Sequence, residues 1–218
     1  MEDHTFQYGL LFFMPEYKYL ALGDSYTIGE DVPFSDNFPS QLISAISHKA
    51  GLICEKLQII ATTGWTTDEL LEGIEVAKPD NNFELVSLLI GVNNQYRGYP
   101  QEQYIREFQI LLQKAIGFAG GNPERVFVVA IPDYGCTPYG AEKAKKIHYD
   151  LLWYNAEAKR QAEEAGVAFA DVFPASRLAS ANPEFTAGDM LHPSGKMYAS
   201  WVAIILPEAI QALNSPAK

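Results

Sequence analysis

The feature that most constrains the fold of this chain is a regular alternation of short apolar runs with longer segments of helical periodicity. Five of the runs have the length of a β-strand, and the third is apolar at nearly every position. Such continuous apolarity is typical of a strand that is buried on both faces of a sheet. The predicted strands cover residues 17–22, 56–61, 83–90, 125–131 and 167–172.

A helix is predicted after each strand. These helices cover residues 37–50, a short segment from Asp68, and residues 101–118, 141–165 and 193–213. Gly51 is expected to end the first helix, Thr67 to cap the second, and Pro193 to begin the last. Strands that are each followed by a helix predict an α/β fold, with one five-stranded parallel sheet between two layers of helices.

The length and the charge of the chain limit its organisation and its partners. A chain of 218 residues suits one large core better than two domains, so residues 1–218 are predicted to form a single domain. The 27 acidic and 16 basic residues give a formal net charge of −11. Because such a charge is repelled by phosphate backbones and anionic lipid surfaces, nucleic acid is not expected as a partner.

The cysteines and the N-terminal segment bear on the compartment. Cys54 and Cys136 are too few for a disulfide scaffold and are predicted to be buried free thiols. No apolar run approaches the roughly 20 residues of a membrane span. The apolar run at residues 10–14 follows Glu2 and Asp3 rather than basic residues, so it is a poor signal peptide and a cytoplasmic location is predicted. The sequence does not indicate an oligomeric state.

Polar residues and glycines follow the predicted strands. In a parallel α/β sheet, sites form in the loops beyond the carboxyl ends of the strands. This rule directs attention to Ser25, Gly64, Asn93 and Asp133. The four histidines are scattered without the spacing of a metal site, so no metal ion is predicted.

Ser25 and His192 have the residue types of a nucleophile and its base. A serine hydroxyl is a weak nucleophile that needs a neighbouring base, although a serine after a strand is also a common helix cap. His192 comes three residues after Asp189, and a carboxylate beside an imidazole stabilises the imidazolium that forms during proton transfer. A histidine near an acid in a surface loop is frequent, so this pair becomes informative only together with Ser25.

Gly64 and Asn93 are candidate donors to a developing oxyanion. A glycine lets its backbone N–H approach a ligand closely, and the Asn93 side chain carries an amide N–H₂. Each also has an ordinary explanation, since Gly64 suits a turn and the pair Asn93–Asn94 suits a turn or a cap. Serine, glycine and asparagine nevertheless appear in order at the ends of three successive predicted strands, and the Asp/His pair follows from the last loop.

Four segments resemble the conserved blocks of the SGNH (GDSL-type) hydrolases, in the family's order. Residues 20–27, LALGDSYT, resemble the first block, and Gly64 resembles the glycine of the second. Residues 91–94, GVNN, resemble the third block, and residues 189–193, DMLHP, resemble the last. The resemblance therefore extends over most of the chain.

The resemblance implies a flavodoxin-like three-layer α/β/α sandwich and a serine ester hydrolase. Ser25 is then the nucleophile, His192 its base and Asp189 the partner of His192. The oxyanion hole combines the Ser25 and Gly64 N–H groups with the Asn93 side chain. A small-molecule ester is the implied substrate, with no metal or organic cofactor.

Two positions depart from the family pattern. Tyr26 stands where the motif usually has leucine, with little expected effect on mechanism. Asn94 stands where many members have an aspartate that is taken as structural, which puts the local hydrogen bonding in question.

The substrate is open at this point among small acyl esters, acetylated sugars, lysophospholipids and thioesters. The loop aromatics Tyr26, Trp65, Tyr96, Tyr134 and Phe185 either line an acyl or aryl pocket or only cover the sheet ends. Arg97 either meets an anionic substrate group or is simply solvated. An acyltransferase on the same fold and a non-catalytic flavodoxin-like binding module are the alternatives to an esterase. The binding module explains neither the complete Ser/Asp/His set nor the absence of a phosphate-binding glycine loop after the first strand.

Overall fold

The computed structural model describes residues 14–215, so most of the apolar run at residues 10–14 lies outside the described residues. Strands and helices alternate along this part of the chain. The strands are β1 (Glu16–Gly23), β2 (Ile53–Ala61), β3 (Leu85–Leu89), β4 (Val126–Val129) and β5 (Ala168–Ala170). The helices are α1 (Ser25–Ile28), α2 (Phe38–Ala50), α3 (Thr67–Ala77), α4 (Val92–Arg97), α5 (Gln101–Phe118), α6 (Ala144–Glu164), α7 (Phe173–Ser176) and α8 (Gly195–Leu213).

The five strands form one parallel sheet in the order β2-β1-β3-β4-β5. The predicted α/β fold is therefore confirmed, and this strand order is that of flavodoxin-like proteins. On one side of the sheet α2 packs against α8, and on the other α5 packs against both α3 and α6. Every residue of β3 is buried, as its apolar run predicts for a strand covered on both faces.

The strand order places a crevice at the carboxyl ends of β1 and β3. The chain leaves β1 for β2 on one side and returns to β3 on the other, so the connections diverge at this point. Ligands of open α/β sheets bind at such a switch point. A side chain at position 23, the last residue of β1, would place Cβ 2.5 Å from the Leu89 carbonyl oxygen, so only glycine lets these two strand ends approach.

Several element boundaries differ from the predicted ones because local hydrogen bonding decides them. Thr66 rather than Thr67 caps α3, in a capping box with Glu69. α8 begins at Gly195 rather than at Pro193 as predicted, because Ser194 caps it by accepting a hydrogen bond from the Met197 N–H. The helix predicted from residue 141 begins at residue 144, since residues 141–143 form a 3₁₀ turn.

Strand lengths also differ from the predicted ones. The second strand begins three residues earlier than predicted, at Ile53, where its pairing with β1 continues past an irregularity at Tyr17 and Lys18. The last strand is shorter, Ala168–Ala170, because it pairs only along the end of β4.

Cys54 and Cys136 are free thiols as predicted, but both are half-buried rather than buried. Within residues 14–215, no helix combines the length and apolarity that a bilayer crossing needs.

Candidate active site

Ser25 lies at the switch point, immediately after β1. Asp24 caps the single turn of α1 by accepting a hydrogen bond from the Tyr26 N–H at 3.0 Å. This cap fixes Ser25 as the first residue of the turn, where its backbone N–H faces away from the helix. Ser25 is 4% exposed, so its hydroxyl is accessible only from the adjoining pocket.

His192 joins Ser25 to Asp189. The Nε2 atom of His192 is 3.0 Å from Ser25 Oγ, and its Nδ1 atom is 2.5 Å from Asp189 Oδ2. The other carboxylate oxygen, Asp189 Oδ1, accepts hydrogen bonds of 2.9 Å from the N–H groups of Leu191 and His192. The turn is closed by Met190 in the left-handed region, at φ 61°. The chain of contacts therefore runs Ser25–His192–Asp189, and it joins Ser25 to a histidine that lies 167 positions later in the sequence.

The Asp189 carboxylate is held in its charged form. Partial burial alone would raise its pKa, but hydrogen bonds from the His192 ring and from the Leu191 and His192 N–H groups outweigh burial. The pKa of Asp189 consequently lies below its ordinary value. A charged Asp189 favours the tautomer in which Nδ1 of His192 carries the proton and Nε2 is free to accept one.

Tyr26 packs beside the imidazole instead of pointing into solvent. Its ring meets the His192 ring edge-on at a centroid distance of 5.7 Å and the Trp201 ring at 6.2 Å. The Tyr26 carbonyl accepts a hydrogen bond from the Tyr198 hydroxyl at 3.0 Å. Tyr26 is therefore buried in the core of the site while one edge lines the pocket.

Gly64 lines the same pocket as Ser25. Gly64 has φ 85° in a turn that the Trp65 N–H closes onto the Thr62 carbonyl at 3.2 Å. Neither the Gly64 N–H nor the Ser25 N–H has an acceptor among residues 14–215. Both are thus free to donate to a ligand in the pocket.

Asn93 supplies a third donor from an unexpected element. It lies in the first turn of α4, not at the end of a strand as predicted. Its Nδ2 atom donates to the Trp65 carbonyl at 2.9 Å, which fixes the amide and leaves its second N–H unused. Asn93, Gly64 and Ser25 all line the catalytic pocket, the cavity around Ser25 Oγ with a volume of about 190 Å³.

Arg97 secures the turn that carries Gly64. Its Nη2 atom donates to the Gly64 carbonyl at 2.6 Å, and its Nη1 atom pairs with Glu69 at 3.2 Å. Glu69 is also the residue that completes the cap of α3, which begins just after the turn. Sequence reasoning assigned Arg97 to an anionic substrate group or to solvent, because its contact with a backbone carbonyl 33 positions away leaves no local signal.

Asn94 is fully satisfied in the buried position where the family often has aspartate. Its Oδ1 atom accepts from the Thr67 N–H at 3.1 Å, and its Nδ2 atom donates to Thr67 Oγ1 at 2.7 Å. Thr67 Oγ1 donates in turn to Glu107 at 2.5 Å. The amide thus fits because the threonine hydroxyl turns its proton toward Glu107.

The loop aromatics divide between the pocket and other places. Tyr96 and Tyr134 line the catalytic pocket, and so does Tyr139, which the sequence did not single out. The structure places Trp65 outside the pocket lining, since its ring packs onto α3, where a Cβ at Gly73 would lie 2.2 Å from it. Phe185 lines a separate small cavity behind His192.

Asp133, the remaining strand-end residue, lies outside the catalytic pocket. Its carboxylate accepts from the Gly135 N–H at 3.0 Å and pairs with His148 Nδ1 at 2.7 Å. These bonds hold the loop after β4, which carries Tyr134. In the part of the chain that the structure describes, no three His, Cys, Asp or Glu side chains gather in a way that could hold a metal ion.

The chain matches one family model over most of its length. The model of the GDSL-like Lipase/Acylhydrolase family matches residues 21–199, a range that contains Ser25, Gly64, Asn93, Asp189 and His192. A search of curated proteins gave no significant match.

Solved structures share the fold at low sequence identity. A variant of an acetyl xylan esterase from Geobacillus stearothermophilus has 19% identity and a TM-score of 0.68, over 90% of this chain and 96% of that one. A member of the lipolytic G-D-S-L family from Veillonella parvula has 17% identity and a TM-score of 0.65, over 87% and 96%. A psychrotrophic esterase from Pseudoalteromonas sp. has 15% identity and a TM-score of 0.65, over 91% and 100%.

Proposed function

The chain belongs to the GDSL-like lipase/acylhydrolase family and is a serine ester hydrolase, and from this premise we propose that it cleaves carboxylic esters through an acyl-enzyme on Ser25. The observation that carries the proposal is the continuous contact from Ser25 Oγ through His192 to Asp189. A non-catalytic binding module has no need of such an arrangement.

Acylation begins with the transfer of the Ser25 proton to His192 Nε2, across 3.0 Å. Ser25 Oγ attacks the ester carbonyl carbon, and the carbonyl π electrons move to its oxygen. The tetrahedral intermediate collapses, the bond to the alcohol oxygen breaks, and His192 protonates the departing alkoxide. Water then repeats the sequence on the acyl-enzyme, which releases the acid and restores Ser25.

The developing oxyanion is placed among three N–H donors, those of Ser25, Gly64 and the Asn93 amide. Loss of one such donor costs about 3–4 kcal/mol of transition-state stabilisation in acyl-transfer enzymes. Asn93 and Gly64 are held in place before substrate arrives, by the Trp65 carbonyl and by Arg97 respectively. This preorganisation supports their role, because donors that are already oriented need not reorganise during the reaction.

Labelling with a fluorophosphonate, followed by intact-mass measurement and peptide mapping, tests the proposal. The wild-type protein should gain one adduct on Ser25, and Ser25→Ala should gain none. Ser180→Ala is a matched control, since Ser180 is exposed and does not line the pocket, and it should be labelled like the wild type. Adducts on a folded Ser25→Ala protein, or none on the wild type, would contradict the proposal.

Hydrolysis and acyl transfer differ only in the acceptor. Product analysis with an added alcohol separates them, since an acyltransferase forms a new ester where a hydrolase forms the acid.

A cytoplasmic location stays a prediction, supported by the two free thiols, which are typical of a reducing compartment. Cell fractionation with an antibody to the protein would test it.

A further inference from the structure

A second and larger cavity adjoins the catalytic pocket. We call it the side groove. It is lined by residues 95–98, Tyr134, residues 139–140, residues 142–143 and residues 146–147, and has a volume of about 600 Å³. Tyr96, Tyr134 and Tyr139 line both cavities, so that the groove continues from the catalytic pocket. Its other side chains play no part in the triad or among the oxyanion donors.

One wall of the side groove is tied to the loop that carries His192. The Tyr139 N–H donates to the Met190 carbonyl at 3.2 Å, two residues before His192. Because His192 Nε2 hands its proton to the departing alkoxide, the alcohol portion of an ester must lie on the His192 side of the catalytic pocket. The groove is thus placed for the alcohol portion, and the catalytic pocket of about 190 Å³ remains for a small acyl group.

The charges on the groove wall are balanced. Arg97 and Lys146 are each neutralised by a carboxylate, at 3.2 Å and 2.5 Å. Lys143 and Glu142 have opposite signs, and neither has an ion-pair partner among residues 14–215. The groove therefore has no net charge with which to select a charged alcohol.

The groove offers hydrogen-bonding groups beside flat aromatic faces. Tyr96 and Tyr139 are 59% and 53% exposed, and their hydroxyls lie 2.8 Å apart. Each ring presents an apolar face with a polar tip, the combination that suits a ligand with C–H faces and a rim of hydroxyls. A long alkyl chain would instead desolvate Lys143 and Glu142 without giving them partners, which is costly.

We propose that the side groove binds the alcohol portion of the substrate and that this portion is a neutral, polyhydroxylated moiety of one or two sugar rings. The natural substrate is then a short-acyl ester of such an alcohol. The inference rests on the proposed esterase chemistry for the reaction, but binding in the groove can be measured without turnover.

Kinetics with a common acyl group give the first test. The readout is the ratio of kcat/KM for O-acetyl cellobiose to kcat/KM for ethyl acetate, which has no group to fill the groove. The wild-type ratio should exceed unity by about 10-fold or more, the equivalent of about 1.4 kcal/mol of binding in the transition state. Glu142→Trp, which fills the groove, should lower this ratio by about 10-fold.

Lys145→Trp is the matched control, because Lys145 is exposed in the same region but does not line the groove. Its ratio should stay within about 2-fold of the wild-type value, a change of under 0.5 kcal/mol. Lys143→Trp replaces Glu142→Trp if the latter proves unstable. An unchanged ratio in a folded groove-filling variant would overturn the proposal, as would a groove-dependent preference for octyl acetate over the sugar ester.

Calorimetric titration of cellobiose into Ser25→Ala separates the two proposals. Binding that is lost in Ser25→Ala/Glu142→Trp, but not in Ser25→Ala/Lys145→Trp, would support the groove assignment whatever the turnover result. Failure of Ser25 labelling with this binding intact would remove only the acyl-enzyme scheme. Ser25-dependent turnover without groove-dependent binding or discrimination would remove only the groove assignment.

Discussion

Two aspartates that flank the Ser25–His192 contact have pKa values shifted in opposite directions. Asp189 accepts hydrogen bonds from the His192 ring and from two backbone N–H groups, which hold its pKa below the ordinary value despite partial burial. Asp24 is fully buried, and one of its oxygens, Oδ2, has no hydrogen-bond partner. Burial therefore raises the pKa of Asp24 to about 7, against the weaker opposing effect of the Tyr26 N–H.

Replacing Asp189 by asparagine tests the role of its charge. Asp189→Asn keeps the side-chain shape but no longer favours the Nδ1–H tautomer of His192, so kcat for an activated ester should fall by roughly 10³–10⁴-fold. Steady-state kinetics measure the effect, with Asp80→Asn, an exposed aspartate paired with Lys56, as the control. A loss below about 10-fold in a folded variant would mean that Asp189 does not orient the base.

Asp24 should make the folded state less stable as pH rises. Below pH ~4 Asp24 is protonated in both the folded and the unfolded protein. Between pH values of about 4 and 7 only the unfolded protein releases this proton, so the free energy of unfolding falls as pH rises. Asp24→Asn removes this dependence and keeps an acceptor for the Tyr26 N–H. Because only wild type loses this stability, the free energy of unfolding of Asp24→Asn minus that of wild type should rise by roughly 3 kcal/mol between pH 5 and pH 8. The rise is about 1.4 kcal/mol per pH unit up to pH 7.

Urea unfolding at pH 5 and pH 8 measures this difference, and Asp80→Asn should show little change between the two. If the Asp24→Asn difference were equal at both pH values, the Asp24 carboxyl would titrate normally in the folded protein.

At the scale of elements, α3 and α4 together fix the turn that carries Gly64. Glu69 caps α3, and Arg97 at the end of α4 links Glu69 to the Gly64 carbonyl. Asn93 at the start of α4 holds the next carbonyl, that of Trp65. Two successive peptide carbonyls are thus anchored from one short helix, which fixes the turn that carries the Gly64 N–H.

Removal of the Arg97 anchor should weaken transition-state binding more than substrate binding. For ethyl acetate, which does not reach the side groove, Arg97→Ala should lower kcat by about 10-fold or more with little change in KM, since a loosened donor is lost mainly in the transition state. Arg97→Lys should recover part of the loss. Arg106→Ala, on the exposed face of α5, is the control. A rise in KM alone would assign Arg97 to substrate binding.

At the scale of the whole molecule, residues from both ends of the sheet and from both helix layers share one core. β1 pairs with β2 and β3 along its length, and α8 packs against α2 across one face. The 1–218 single-domain assignment remains a prediction, and this continuity supports it. Such a core should unfold in one cooperative transition.

Unfolding in urea followed by far-UV and near-UV circular dichroism tests this expectation. The two signals should give the same midpoint in wild type, and in Leu88→Ala both should shift together, by the 2–5 kcal/mol that a cavity at a fully buried leucine costs. Two separate transitions would indicate that part of the chain forms an independent unit.

The sequence by itself determined the class of fold, the family and the order of the site residues. These follow from local signals: strand-length apolar runs, the residues 20–27 and 189–193, and a glycine or asparagine after each of two strands. The resemblance to GDSL hydrolases is confirmed by the family match over residues 21–199. Such signals can be read from the sequence because each depends on residues within a few positions of one another.

Only the tertiary structure decided which distant residues meet. Tyr139 joins the pocket, Trp65 turns away from it, and Arg97 binds a carbonyl 33 positions earlier. Helix ends differ from the predicted ones where a particular side chain caps the helix, as Thr66 caps α3 and Ser194 caps α8. These outcomes depend on packing between loops whose conformations are set by the sheet and not by their own composition, so no pattern in the sequence specifies them.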